Sequence, residues 1–403
     1  MSFDPLTVKI IGLTGPLSSG CSTIAGYLTE SHDYRLIRLS DFLRESFDSG
    51  YPASGSELQK RGNEWRRDRG LDVLATIAIQ KFAAETGPPL LVIDGIRNQG
   101  EVAYLRSYPQ FYLVAVDAPF HVRLERERTK GHAITDLEFR ELDQRDSGVN
   151  EEAYGQHVSW CTDLADFQIL NNESWENHLD IKEAFLDKVE LFLRLVNDRG
   201  VKRPTLHEAG MHHAYSASLL SPCLKRRVGA VVVRRVEKPS GNYEELVLAV
   251  GFNRPPIGER SCQERWGKCF RDKMTEEKEG RMDQYIRRLK PNVGEGELRE
   301  IHKLMASKQL DYCRSLHAEE SAILQVAQLG GVSLDGTTLY TTTFPCLLCA
   351  KKIVQAGIRK VVYNEPYPVK EASEVLEKQC ELIRFEGVKS VAYFRLFGKN
   401  ISF

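Results

Sequence analysis

The chain has 403 residues, 42% hydrophobic and 28% charged, with 55 Lys and Arg against 56 Asp and Glu and a formal net charge of -1. That composition excludes a disordered or fibrous chain, and at ~150 residues per domain the length points to two or three domains. Balanced charge disfavours a surface built to neutralise a polynucleotide, so a small-molecule substrate is expected and nucleic acid keeps a role only as a regulator. Met1 to Lys9 lacks the basic and apolar regions of a signal peptide, and no run reaches the ~20 apolar residues of a membrane span. Nine cysteines, an odd number, then fit a reducing cytoplasm, where special spacings serve metals or catalysis before disulfides.

In chain order, residues 8–13 form a short apolar run that predicts a strand, followed by a glycine- and serine-rich turn and a helix over 24–30. Residues 89–94 and 111–117 predict two more buried strands, with a helix over 71–85 between them. This alternation favours a doubly wound parallel sheet. Apolar spacing at Phe185, Val189, Phe192 and Leu193 predicts an amphipathic helix over 181–196. The polar stretch 197–204, with Gly200 and Pro204, reads as a linker. Beyond it come a helix over 206–220, strands at 228–233 and 246–250, and a second alternation of helix and strand from 317 to 363. The fold class is therefore α/β throughout, with one domain over 1–200 and a second over 201–403. An insertion at about 263–312 is rich in charge and reads as a solvated helical stretch, or as a lid or oligomer contact.

The strongest chemical signal is His317-Ala318-Glu319 followed by Pro345-Cys346-Leu347-Leu348-Cys349. Two cysteines three apart at a helix start place both thiolates on one face, where the helix N-terminus favours deprotonated sulfur. His317 also opens a helix, expected over 318–329. Three ligands leave a fourth zinc position for water, the catalytic arrangement. Glu319, two residues from the ligand histidine, can then carry protons without occupying the metal. This combination is the signature of zinc-dependent nucleobase deaminases.

On these residues the second half resembles the deoxycytidylate deaminase family. Met211-His212-His213-Ala214, the stretch Arg227 to Val232 and Gly251-Phe252-Asn253 match in order. The resemblance implies that Asn253 binds the deoxyribose and the Ala318 backbone the pyrimidine carbonyl. It also implies a second, structural zinc, for which Cys223, Cys262, Cys269 and Cys313 are the candidates; packing as small buried thiols is the alternative reading. Ser321 and Phe344 depart from the family pattern.

Gly15 to Thr23 follows the first strand and opens a helix in the pattern of a Walker A loop. Gly15 and Gly20 let amides converge on phosphate, while Ser22 and Thr23 supply hydroxyls, Ser22 for magnesium. Cys21 stands where the lysine belongs. Asp94 matches a Walker B acid. The first half thus resembles P-loop nucleotide kinases, a likeness that would lay the arginines of 122–128 over the phosphates. Without the lysine, a regulatory nucleotide site, with or without Mg2+, is favoured over an active kinase or a relic. The order of the two halves resembles bacterial two-domain antiphage deoxycytidine nucleotide deaminases. Such a protein would convert dCTP, dCMP or both to their uracil forms and is expected to be a homo-oligomer. A housekeeping dCMP deaminase with a nucleotide-sensing front half, and a polynucleotide deaminase, are the alternatives.

Overall fold

A computed structural model gives the protein's structure and describes residues 4–47, 54–131, 134–148, 151–173, 179–305, 313–330, 332–366 and 370–398. The chain forms two units, one of residues 1–204 with 386–403 and one of residues 205–385. The second domain expected as an unbroken 201–403 is therefore corrected at its far end, where the chain goes back to the first unit.

The first unit is built on β1 (Lys9–Thr14), β2 (Arg35–Arg38), β3 (Leu90–Asp94), β4 (Phe111–Asp117), β5 (Phe167–Leu170) and a last strand in chain order, β11 (Gly387–Val388). Their spatial order is β11-β5-β4-β1-β3-β2. The first five strands pair in parallel, and β11 adds itself antiparallel to β5. Successive strand residues point to opposite faces, and both faces are apolar. Ile10, Leu91, Ile93 and Leu113 pack into one core, whereas Ile11, Leu13, Val92 and Val114 pack into another. The expected 71–85 helix is Val73–Ala84, on the first face. The expected 181–196 helix is Leu179–Asn197, on the second.

The returning segment completes this unit. Leu170 N–H donates to Glu386 Oε1 at 3.0 Å, and Lys188 Nζ spans from Leu170 O, at 2.9 Å, to Glu386. Lys389 is buried and donates through Nζ to Thr162 O at 2.6 Å. Ala392 and Leu396 enter the core beside Phe192, and Arg395 lies 3.9 Å over the Tyr112 ring. These contacts replace water with apolar surface and hydrogen-bonded partners, which tie the segment to the first unit.

The second unit has five strands, β6 (Gly229–Glu237), β7 (Tyr243–Phe252), β8 (Thr338–Thr343), β9 (Lys360–Glu365) and β10 (Glu381–Arg384). Their order is β10-β9-β8-β6-β7, antiparallel at β7-β6-β8 and parallel at β8-β9-β10. Helix Leu206–Ser218 covers one face through Met211 and Ala214. Helices Ala318–Leu329 and Leu347–Gln355 cover the other. The insertion contains helices Cys262–Trp266, Phe270–Leu289 and Glu295–Met305, and its residues 306–312 lie outside the described set. Phe270–Leu289 fully buries none of its side chains, in keeping with a solvated helix.

Candidate zinc and active site

Two strand-to-helix turns build the site. β8 ends at Thr343, and Phe344 N–H donates to Glu365 O at 2.8 Å, holding the approach to Cys346. Cys346 is the N-cap of helix Leu347–Gln355, with an extended backbone (φ -73°, ψ 169°). His317 is the N-cap of helix Ala318–Leu329, and its backbone N–H donates to Glu320 at 3.3 Å. Its entry is fixed by mutual bonds between Leu316 and Arg254. Gly251 lets β7 pass this close, since a Cβ there would sit 2.1 Å from Ala318 O. Asn253 is thereby placed beside the start of the His317 helix.

Cys346 Sγ and Cys349 Sγ lie 3.3 and 3.4 Å from His317 Nδ1. All three donor atoms fall within 4.8 Å of one another. Tetrahedral zinc with ordinary bond lengths spaces nitrogen and sulfur ligands about 3.5 Å apart, so the set fits that ion. Zinc, when bound, supplies a Lewis acid that activates water. Glu319 is 4% exposed, and the Cys349 thiol donates to its Oε2 at 3.5 Å. Burial pushes its carboxyl above the usual range. A carboxyl so poised takes a proton more readily than a solvated one, which suits repeated transfer. The Cys346 thiol is pulled down to about 4 by hydrogen bonding with Cys349 and then His317, working against burial.

The other expected residues divide. Ala318 is fully buried at the helix start. Asn253 is largely committed to the protein, because its Oδ1 accepts from Ser221 Oγ (2.6 Å) and Val228 N–H (2.8 Å) while Nδ2 donates to Arg226 O (2.8 Å). A single amide hydrogen is left for a sugar. Cys223, Cys262, Cys269 and Cys313 line one pocket with Pro222 and Phe270. Among the described residues, however, only His317, Cys346 and Cys349 bring ligand atoms within metal range. A hydrogen bond to His317 lowers the Cys313 thiol, which draws that cysteine toward the catalytic set, four residues away in sequence.

In the first unit, Gly20 takes φ 117°, a left-handed conformation that favours glycine, and caps helix Cys21–His32. Thr23 N–H donates to Gly20 O at 3.1 Å in its first turn. Gly15 is equally constrained, since a Cβ would meet Val116 O at 2.2 Å. Ser22 Oγ donates to Asp94 Oδ2 at 2.9 Å, joining the hydroxyl and the acid picked out in the sequence. Burial, then Asp94, push the Cys21 thiol up to about 12. Burial also raises Asp94. Sequence reasoning missed Asn171, and it expected Arg126, with the other arginines of 122–128, over the phosphates. Arg126 donates to Ser18 O and Ser19 O at 3.2 Å each, and Asn171 Nδ2 donates to Ser19 O at 2.7 Å. Arg123 pairs with Asp143 at 2.6 and 3.0 Å. These two arginines grip the loop's carbonyl side and a neighbouring helix. The arginine run at 122–128 hinted at them, but nothing local told which atoms they would reach.

Comparison with known proteins agrees with the second unit's chemistry. Residues 204–365 match the cytidine and deoxycytidylate deaminase zinc-binding region. The chain carries a deaminase zinc-binding domain. It is 29% identical over 361 residues to deoxycytidylate deaminase of Schizosaccharomyces pombe, covering 89% of this chain and 90% of the relative. Deoxycytidylate deaminase of Saccharomyces cerevisiae is 29% identical over 280 residues, covering 67% of this chain and 72% of that protein. A UPF0200 protein of Methanoculleus marisnigri is 30% identical over 171 residues, covering 42% of this chain and 90% of that protein. Over that stretch the chain belongs with the UPF0200 proteins. Among solved structures, dCMP deaminase from cyanophage S-TIM5 in apo form is 24% identical at a TM-score of 0.28, covering 46% of this chain and all of its own.

Proposed function

We propose that this protein hydrolytically deaminates deoxycytidine nucleotides, dCMP first and dCTP second, to the uracil forms and ammonia. The observation that carries the reading is the buried Glu319 carboxyl held against Cys349, beside the His317, Cys346 and Cys349 donor set. Glu319 would take a proton from the attacking water, hand it to the ring nitrogen, and return one to the departing amine. Asn253 and the Ala318 backbone would orient sugar and base. The match to fungal deoxycytidylate deaminase along both units supports the choice of nucleotide.

The pocket cysteines Cys223, Cys262, Cys269 and Cys313 would hold a second, structural zinc once drawn closer. The phosphate loop would bind a regulatory nucleotide, with Ser22 and Asp94 holding Mg2+ where one accompanies it, and the active form would be a homo-oligomer. For the role in the cell, the eroded phosphate loop supports antiphage depletion of cytosine deoxynucleotides. The colinear fungal match supports a housekeeping enzyme instead.

The test offers purified full-length protein with zinc dCMP, dCTP, CMP, cytidine, adenosine and single-stranded DNA, following uracil or hypoxanthine. Turnover of dCMP is expected, with a silent Glu319→Ala control. Deamination of the polynucleotide alone would overturn the reading. Steady activity without a trigger selects the housekeeping role, and silence until a phage-derived signal is added selects defence.

A further inference from the structure

The Asn253 side chain is gripped by a loop, not by regular structure. Helix Leu206–Ser218 has ended and β6 has not begun where residues 221–228 pass it, and these residues form neither helix nor strand. Ser221 Oγ and Val228 N–H donate to Asn253 Oδ1 at 2.6 and 2.8 Å, while Asn253 Nδ2 donates to Arg226 O at 2.8 Å. The three bonds also fix which end of the amide is oxygen. A carboxamide is planar, so placing one N–H on Arg226 O sets the direction of the other. That other hydrogen is the one left for a sugar.

Arg226 itself joins no ladder, because the pairing of β6 starts at Gly229. Its guanidinium instead pairs with Glu365. Glu365 is the last residue of β9 and stands opposite Thr343 at the end of β8. Its Oε2 accepts from Thr343 Oγ1 at 3.0 Å, and its carbonyl accepts from Phe344 N–H at 2.8 Å, two residues before Cys346. One acid therefore ties the loop around Asn253 to the turn that carries the cysteines. The Glu365 side chain is 20% exposed, and Thr343 already orients it, so pairing with Arg226 costs it little freedom. The adjoining Lys225 pairs with Asp272 at 2.7 Å on helix Phe270–Leu289, with both side chains exposed.

We propose that Arg226 and Glu365 are positioning residues for the sugar of the substrate. Their ion pair aims the Arg226 carbonyl, and the carbonyl turns the remaining Asn253 N–H toward a sugar hydroxyl. The proposal rests on the deaminase reading and on Asn253 as the sugar's ligand.

Steady-state kinetics of the zinc-loaded, full-length protein on dCMP test this. Arg226→Ala and Glu365→Gln are each expected to raise KM about three- to tenfold, with kcat within about twofold. Zinc content should hold, since glutamine still accepts from Thr343. The double variant should be no worse than the worse single one, because both break the same link. Arg226→Lys keeps the charge and should recover part of the loss. Lys225→Ala, which breaks only the exposed pair of the same loop, should match the wild type. An unmoved KM or additive single effects overturn the proposal. So does an equal rise in Lys225→Ala, which would mean that any loosening of the loop suffices. If the wild type turns over no cytosine substrate, the deaminase reading has failed, and the pair is tested without turnover. In protein carrying isotope-labelled asparagine, the Asn253 side-chain amide signal, identified by its loss in Asn253→Ala, should shift in Glu365→Gln. An unshifted signal overturns the proposal.

Discussion

Two cysteines in this molecule stand at helix starts with opposite chemistry, Cys346 as an N-cap and Cys21 as a first helical residue. Cys21 and Cys346 each follow a strand, stand at the start of a helix and feel its N-terminal dipole. Yet one thiol is pushed up to about 12 and the other pulled down to about 4. The helix end is common to both, so it does not decide. Neighbours do: Cys21 is half-buried beside the Asp94 carboxylate, whereas Cys346 meets the Cys349 thiol and the His317 imidazole. A position that in a phosphate loop would carry a cation is thereby made electrically quiet, while the helix start at Cys346 is made ready for metal.

The largest expected effect tests the loaded end. Glu319→Gln should lower kcat on dCMP by ~10²–10⁴ or more while zinc content, read by mass spectrometry of the metal, stays at the wild-type level. Retained turnover would remove Glu319 from proton transfer. Next, Cys349→Ala should lose the catalytic zinc, seen as one fewer equivalent per chain, and with it all turnover. The quiet end makes the reverse claim. Iodoacetamide at pH 8 should leave Cys21 unmodified in the folded protein, by peptide mass mapping, because a thiol near 12 is protonated there; modification would mean its surroundings are wetter than described. The smallest effect concerns the grip on the loop. Arg126→Ala removes the bonds to Ser18 O and Ser19 O and should lower stability by about 1–3 kcal/mol in urea unfolding, with dCMP turnover unchanged.

What could be read from the chain follows from how local each feature is. His317, Cys346 and Cys349 were legible because each ligand is announced by its own strand, turn and helix start, and only two such starts had to meet. The first sheet was legible for the same reason, since Ile10 and Ile11 already alternate between two apolar faces. β11 was not legible. It is two residues long, and its partner, β5, ends more than two hundred residues earlier. That Ser221 and Val228 would occupy the Asn253 oxygen, leaving one amide hydrogen for a sugar, is a contact that no spacing announces. The four further cysteines were recognised as a group, and they do share a pocket wall; the sequence carries no measure of how far apart thiols on one wall will stand.

The return of residues 386–403 has a consequence for biosynthesis. The unit over 205–385 is continuous and can fold as soon as it clears the ribosome, while the unit that is translated first must wait. Until Gly387 and Val388 arrive, β5 presents a bare strand edge, and the core around Phe192 lacks Ala392 and Leu396. The deaminase half is therefore expected to acquire protease resistance on shorter nascent chains than the half that precedes it.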